Sequence, residues 1–163
     1  MLILEIILFG AFLYAVLIYL AIKDSREMIL PDIATLPLVA VGLFFASRSG
    51  MLTDGLIGAA VGYVAFVAIE KGYRAVRGVD GLGRGDAKLA AAGGAWCGWA
   101  ALPHIVLIAS MAGLAYALFA AWSDKKGQDA GAPIGGVAIA FGPHLALAIG
   151  LRWLMGRILD LPL

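Results

Sequence analysis

Charge is scarce in this chain. Of its 163 residues only 14% are Asp, Glu, Lys or Arg, where a soluble domain carries roughly 25%, and this shortage excludes water as the main solvent of the fold. Cysteine is scarcer still. Cys97 stands alone, which excludes an internal disulfide and a cysteine zinc knuckle. Net charge is nearly absent too: the formal value is +1, and with no basic stretch interleaved with aromatics there is no case for a nucleic-acid partner. The N-terminus lacks a basic n-region, and no small-residue cleavage site follows its apolar run, so that run reads as a retained span and not a signal peptide.

Apolar residues fill the space that charge leaves, at 63% of the chain. Leu2 to Ile22 is a 21-residue run in which Glu5 is the one ionisable group, and about 20 apolar residues suffice to cross a bilayer as a helix. Ile33 to Ser47 and Gly55 to Ile69 are the next two apolar runs. Leu89 to Ser123 contains no Asp, Glu, Lys or Arg, exceeds one span, and is expected to divide at Pro103-His104. Ala130 to Leu151 supplies another span, with Gly142-Pro143 inside it as an expected kink. The reading is an all-α, polytopic membrane helix bundle of about six transmembrane helices, residues 1–163 forming one membrane-embedded domain. The lipid bilayer is its first partner.

Cytoplasmic loops of membrane proteins carry the excess of Lys and Arg. In a six-span arrangement nine of the twelve basic residues share the side of Lys23, namely Lys23, Arg26, Lys71, Arg74, Arg77, Arg84, Lys88, Lys125 and Lys126, while Arg48, Arg152 and Arg157 fall opposite. Both termini are then outside. The loops after spans one and three face the cytoplasm, and Asp24 and Asp86 lie in them together.

Small residues recur at four-residue spacing in Gly58-Ala59-Ala60-Val61-Gly62 and in Gly94-Ala95-Trp96-Cys97-Gly98. In lipid such pairs allow close helix contact, and with 22 glycines in the chain packing is the expected role. Asp32, after Leu30-Pro31, reads as the N-cap of the second span. Asp24 by position alone would be an interfacial charge ending a helix. Asp86 closes the turn Gly81-Leu82-Gly83-Arg84-Gly85-Asp86, where a helix cap is the plain alternative. No G-x-x-x-x-G-K-[ST] pattern accompanies these glycines, so a phosphate cradle is not supported. Gly83, Gly85 and Lys88 are candidates for shaping the loop or touching a substrate, because glycine admits close approach of another backbone.

Two aspartates on one membrane face suit acid–base hydrolysis, in which one carboxylate takes a proton from water while the other, protonated, polarises a peptide carbonyl. Like charges a few ångströms apart do not both ionise easily, so the two roles separate. His104 falls on the opposite face, His144 lies within the last span, and Cys97 sits in an apolar segment without a base. Metal and serine-triad chemistry therefore have no support, and no cofactor is expected.

These residues resemble the type IV prepilin peptidases and their archaeal preflagellin relatives, which are GxGD-type intramembrane aspartyl peptidases. Three blocks carry the resemblance: Asp24 with Leu30-Pro31-Asp32 and Leu36-Pro37; Gly83-Arg84-Gly85-Asp86-Ala87-Lys88-Leu89 running on to Trp99; and Phe141-Gly142-Pro143-His144-Leu145-Ala146. The resemblance implies that Asp24 and Asp86 are catalytic. It also implies an inner-membrane enzyme that removes a short basic leader from prepilin-like or pseudopilin-like proteins at the cytoplasmic surface, for a type IV pilus or type II secretion. Larger members carry an added cytosolic segment and methylate the new N-terminus with S-adenosylmethionine; here Asp24 follows a single span, so processing without methyl transfer is the expectation. Arg84 at the centre of GxGD is a large basic residue near the expected cleft and a candidate for altering substrate preference. The alternatives are a non-enzymatic assembly subunit of a pilus or secretion system, and a small transporter whose acids would lie at mid-membrane.

Overall fold

A computed structural model describes residues 3–78, 83–124 and 140–158. Among them there are six α-helices and no strand: α1 (Ile3–Glu27), α2 (Asp32–Arg48), α3 (Leu52–Arg77), α4 (Arg84–Cys97), α5 (Leu102–Asp124) and α6 (Gly142–Ile158), with one 3-10 turn at Trp99–Ala101. Three segments, Ile3–Glu27, Leu52–Val76 and Trp99–Ala120, are long and apolar enough to cross a membrane. Their outer faces carry large apolar side chains that no protein covers, among them Leu8, Val64, Leu107, Met111, Leu114 and Phe119, as suits helices whose solvent is lipid. The all-α membrane fold expected from composition is the observed one.

The centre of the bundle is α4. It has only 14 residues, about 21 Å of helix at 1.5 Å per residue, and eleven of them are buried. A helix enclosed by neighbours on every side needs small residues, and this one supplies them in an unbroken run: Ala90, Ala91, Ala92, Gly93, Gly94 and Ala95. On one flank α3 runs antiparallel to it at backbone contact. A Cβ on Gly94 would lie 2.1 Å from the carbonyl oxygen of Gly58, one on Gly58 would lie 2.4 Å from that of Gly94, and one on Gly62 would lie 2.7 Å from that of Ala90. The four-residue glycine spacing is thus a packing device, as expected. On the other flank Gly93 receives Ile149 of α6, with 3.0 Å between a built Cβ and Cγ1.

Larger side chains lock the end of the bundle nearer Arg48. Trp96 donates its indole N–H to the Leu38 carbonyl of α2 at 2.8 Å, and Gly42 leaves the space its ring fills. Phe45 stacks on Trp96 with centroids 5.3 Å apart, and Trp153 meets both rings. Tyr14 of α1 donates to the Gly150 carbonyl of α6 at 2.8 Å, while Arg48 pairs with Glu5 at 2.8 Å between α2 and α1.

Several boundaries differ from those expected of the sequence. The long uncharged run divides at Gly98 and not at Pro103-His104, because Gly98 takes φ 78° and ends α4; Pro103 falls in the first turn of α5, where a missing N–H costs nothing. Gly142-Pro143 opens α6 and does not kink it, since residues 140 and 141 are non-helical and proline suits a first helical turn. The expected start of that span at Ala130 lies outside the described residues. Asp32 is the first residue of α2 and not its cap: Pro31 holds the cap position and no side chain caps the helix. The Asp32 carboxylate is drawn instead to the Lys88 ammonium of α4.

The α3–α4 contact makes a direct prediction. Gly94→Ala drives a methyl group into backbone that has no rotamer with which to yield, so it should cost at least the ~1–3 kcal/mol typical of overpacking, seen as a lower unfolding temperature in detergent. Gly72→Ala, on the same α3 but with nothing within 4 Å of the added atom, should be neutral or stabilising by up to about 1 kcal/mol.

Candidate active site

Asp24 lies in the last turn of α1 and is 6% exposed. Its Oδ2 accepts a hydrogen bond from the backbone N–H of Gly142 at 3.0 Å. Gly142 is the first residue of α6, so the donor is one of the N–H groups that a helix start leaves without an internal partner. Glycine is required here. A Cβ at this position would stand 2.6 Å from the same carboxylate oxygen. A kink at Gly142-Pro143, the expectation from sequence, hides this role; the same pair taken as a helix start points to it.

Asp86 approaches from α4. It is the third residue of that helix, is 7% exposed, and its Oδ1 is buried without a hydrogen-bond partner. Its backbone N–H donates to the Gly83 carbonyl at 3.0 Å, whereas Gly83 itself holds the cap position without a side chain to fill it. Asp86 precedes the uncharged run that begins at Leu89 and so lies outside the apolar spans. Burial pushes its carboxyl up to about 6, the negative charge of Asp24 pushes it the same way, and a backbone hydrogen bond from Gly83 acts against both. The two aspartates expected from the sequence are therefore within electrostatic reach of one another, delivered by α1 and α4 and braced by the start of α6.

The remaining candidates make contacts of their own. Gly85, a candidate for shaping the loop or touching a substrate, packs against the chain itself: a Cβ there would lie 2.7 Å from Cβ of Leu30. Leu30 belongs to the Leu-Pro-Asp break, so the glycine seats the α1–α2 turn on α4. Gly83 is exposed, and its backbone at φ −76° makes no special demand for glycine. Lys88 binds Asp32, a second tie between that turn and α4. Met28 enters the turn with φ 53°, a left-handed conformation that costs a side-chain-bearing residue about 1–2 kcal/mol. Its N–H closes α1 by bonding the Asp24 carbonyl at 2.9 Å. The two ties to α4 hold this strained turn next to Asp24. His144 places Nδ1 3.2 Å from the Ala140 carbonyl, a local contact, and Cys97 is fully buried. No group of three or more His, Cys, Asp or Glu residues suited to a metal occurs among the described residues.

The chain belongs to the type IV leader peptidase family, whose sequence model matches residues 11–118, a stretch that includes both aspartates. It is 42% identical over 130 residues to the prepilin leader peptidase/N-methyltransferase of Escherichia coli (strain K12), covering 78% of this chain and 54% of that protein. The protein of the same description from Dickeya chrysanthemi is 42% identical over 149 residues, 88% of this chain and 50% of that protein. That of Pectobacterium carotovorum subsp. carotovorum is 39% identical over 144 residues, 86% and 49%. The chain thus spans about half the length of these curated relatives. No solved structure matches it.

Burial of Asp86 predicts a pH-dependent stability. The folded chain holds the Asp86 proton more tightly than the unfolded chain, whose carboxyl titrates near ~3.9. Stability therefore falls as pH rises from there through about 6 and stays lowered above, by on the order of 2–3 kcal/mol. Asp86→Asn removes the charge and should raise the unfolding temperature at pH 8, with the gain vanishing below about pH 4. An equal gain at both pH values would contradict this origin.

Proposed function

We propose that the chain is a membrane aspartyl endopeptidase that removes the short basic leader of prepilin-like or pseudopilin-like proteins at the cytoplasmic membrane surface, with Asp24 and Asp86 as its catalytic pair. Family membership supports the substrate class. The observation that carries the chemistry is the burial of two carboxylates in one another's field, delivered by separate helices.

In this reading the pair shares one proton. Asp86, whose buried Oδ1 has no partner, carries it and donates to the scissile carbonyl oxygen. Asp24, steadied by the Gly142 N–H, accepts a proton from the attacking water. The water oxygen bonds to the carbonyl carbon, the C–N bond breaks, and the leaving amine takes up a proton from the pair. The orientation follows from charge: Lys23, Arg26, Lys71 and Arg84 lie at the aspartate end of their helices, while Arg48, Arg152 and Arg157 lie at the other, and the basic end faces the cytoplasm. Lys125 and Lys126, counted on the same side in the sequence, lie outside the described residues.

Asp24→Asn and Asp86→Asn should each reduce cleavage of a prepilin by about a hundred- to ten-thousand-fold, and the double variant should be scarcely worse than either single one, because the pair works as a unit. Additive losses in a single-turnover assay would argue against a shared mechanism. Asp32→Asn, which breaks an ion pair worth about 0–1 kcal/mol, should keep most activity. If Asp32→Asn is inactive and Asp24→Asn is not, the first aspartate is wrongly assigned.

Orientation has its own check. In a variant lacking Cys97, a cysteine replacing Ser25 should be shielded from an impermeant thiol reagent in intact cells, and one replacing Gly50 should react. The reverse pattern would place the aspartates on the outer face.

A further inference from the structure

Glu70 is a buried acid that the proposed catalytic pair does not use. It is 7% exposed, on α3. The antiparallel register that sets Gly58 against Gly94 and Gly62 against Ala90 continues two turns further to set Glu70 beside Arg84, the first residue of α4, two positions before Asp86. One turn before Glu70, Phe66 meets the ring of Phe141 with centroids 6.4 Å apart, and the residue after Phe141 is the N–H donor to Asp24. Glu70 therefore lies at the end of α3 that reaches the first turn of α4, the turn that carries Asp86.

Its hydrogen bonding is incomplete. Oε1 is held by Nε of Arg84 at 3.4 Å, long for a charge-assisted bond, and Oε2 is buried with no partner. The Arg84 side chain is 65% exposed, so it contributes one weak contact from a position that it can leave at little cost. A buried carboxylate oxygen without a donor is unfavourable. A second cation would relieve that: an ammonium placed against both oxygens, or a guanidinium donating two parallel N–H bonds.

We propose that Glu70 is the residue that recognises a lysine or arginine side chain of the substrate near the cleaved bond, and that Arg84 fills its place until that side chain arrives. The inference rests on the peptidase reading above and adds to it a specificity residue and an internal competitor. Arg84, the central residue of the GxGD turn, then acts on substrate preference by competing for Glu70.

The test uses the full chain in nanodiscs and two fluorogenic peptides spanning a prepilin leader junction, one carrying lysine on the leader side and the other norleucine in its place. Glu70→Gln should raise KM for the lysine peptide roughly ten- to a hundredfold more than for the norleucine peptide, the difference expected from one charge-assisted hydrogen bond. Arg84→Gln should lower KM for the lysine peptide and leave that for the norleucine peptide unchanged. Equilibrium binding of both peptides, followed by fluorescence anisotropy, should show the same selectivity. Equal effects of Glu70→Gln on the two peptides, or a loss confined to kcat, would overturn the assignment. If Glu70→Gln does not fold, the Arg84→Gln arm decides, and unchanged discrimination there is a negative result. Glu70-dependent binding without any cleavage by the wild-type chain would refute the peptidase reading and leave the cation site standing.

Discussion

Everything in this bundle depends on how closely α3 can approach α4. Side chains on either helix at Gly58, Gly62 or Gly94 would hold the two axes apart, and the register between them would be lost. With glycine the backbones touch, and van der Waals contact between them replaces the hydrophobic force that lipid cannot supply. This contact lets a 14-residue helix sit at the centre of the fold with neighbours on all sides. Because α4 is fixed in both position and register, its first turn is fixed too, and that turn carries Arg84 and Asp86.

Close approach of backbone also places Asp24. A carboxylate buried near the end of a membrane helix needs a donor, and the donor is the open end of another helix. The requirement for glycine at position 142 follows from that approach and not from any unusual backbone angle. Around the pair, the α1–α2 turn is tied to α4 by Leu30 against Gly85 and by Asp32 with Lys88. One apolar and one ionic contact thus hold a turn in which Met28 is strained. Such strain persists only where surrounding contacts outweigh it.

Burial of Asp86 is a cost to the fold, as Glu70 with its orphan oxygen is. Each keeps one buried carboxylate oxygen, Oδ1 of Asp86 and Oε2 of Glu70, without a hydrogen-bond partner. Groups of this kind, kept against the interest of stability, are the ones to which chemistry or recognition is reasonably assigned. The carboxylates of Asp24 and Asp86 serve the proposed hydrolysis; Glu70 serves the proposed discrimination among substrates.

The solvent and the helical class were legible in the order of residues, and the two aspartates proposed as the catalytic pair were singled out there. Long runs without charge permit little but membrane helices, and the order of three motifs pointed to Asp24 and Asp86. The glycine spacing was legible too, since a four-residue repeat places small residues on one helix face whatever that face touches. What each glycine meets depends on how the helices pack: Gly94 meets Gly58, Gly85 meets Leu30, and Gly142 meets the Asp24 carboxylate. Helix ends departed from expectation where proline stood for a divider or a kink, because a proline in the first turn and one within a helix look alike until the preceding residues are placed. The Asp32–Lys88 and Glu70–Arg84 pairs were equally hidden. Partners 56 and 14 residues apart in the chain meet through the packing of separate helices, and no local pattern records which charge will face which.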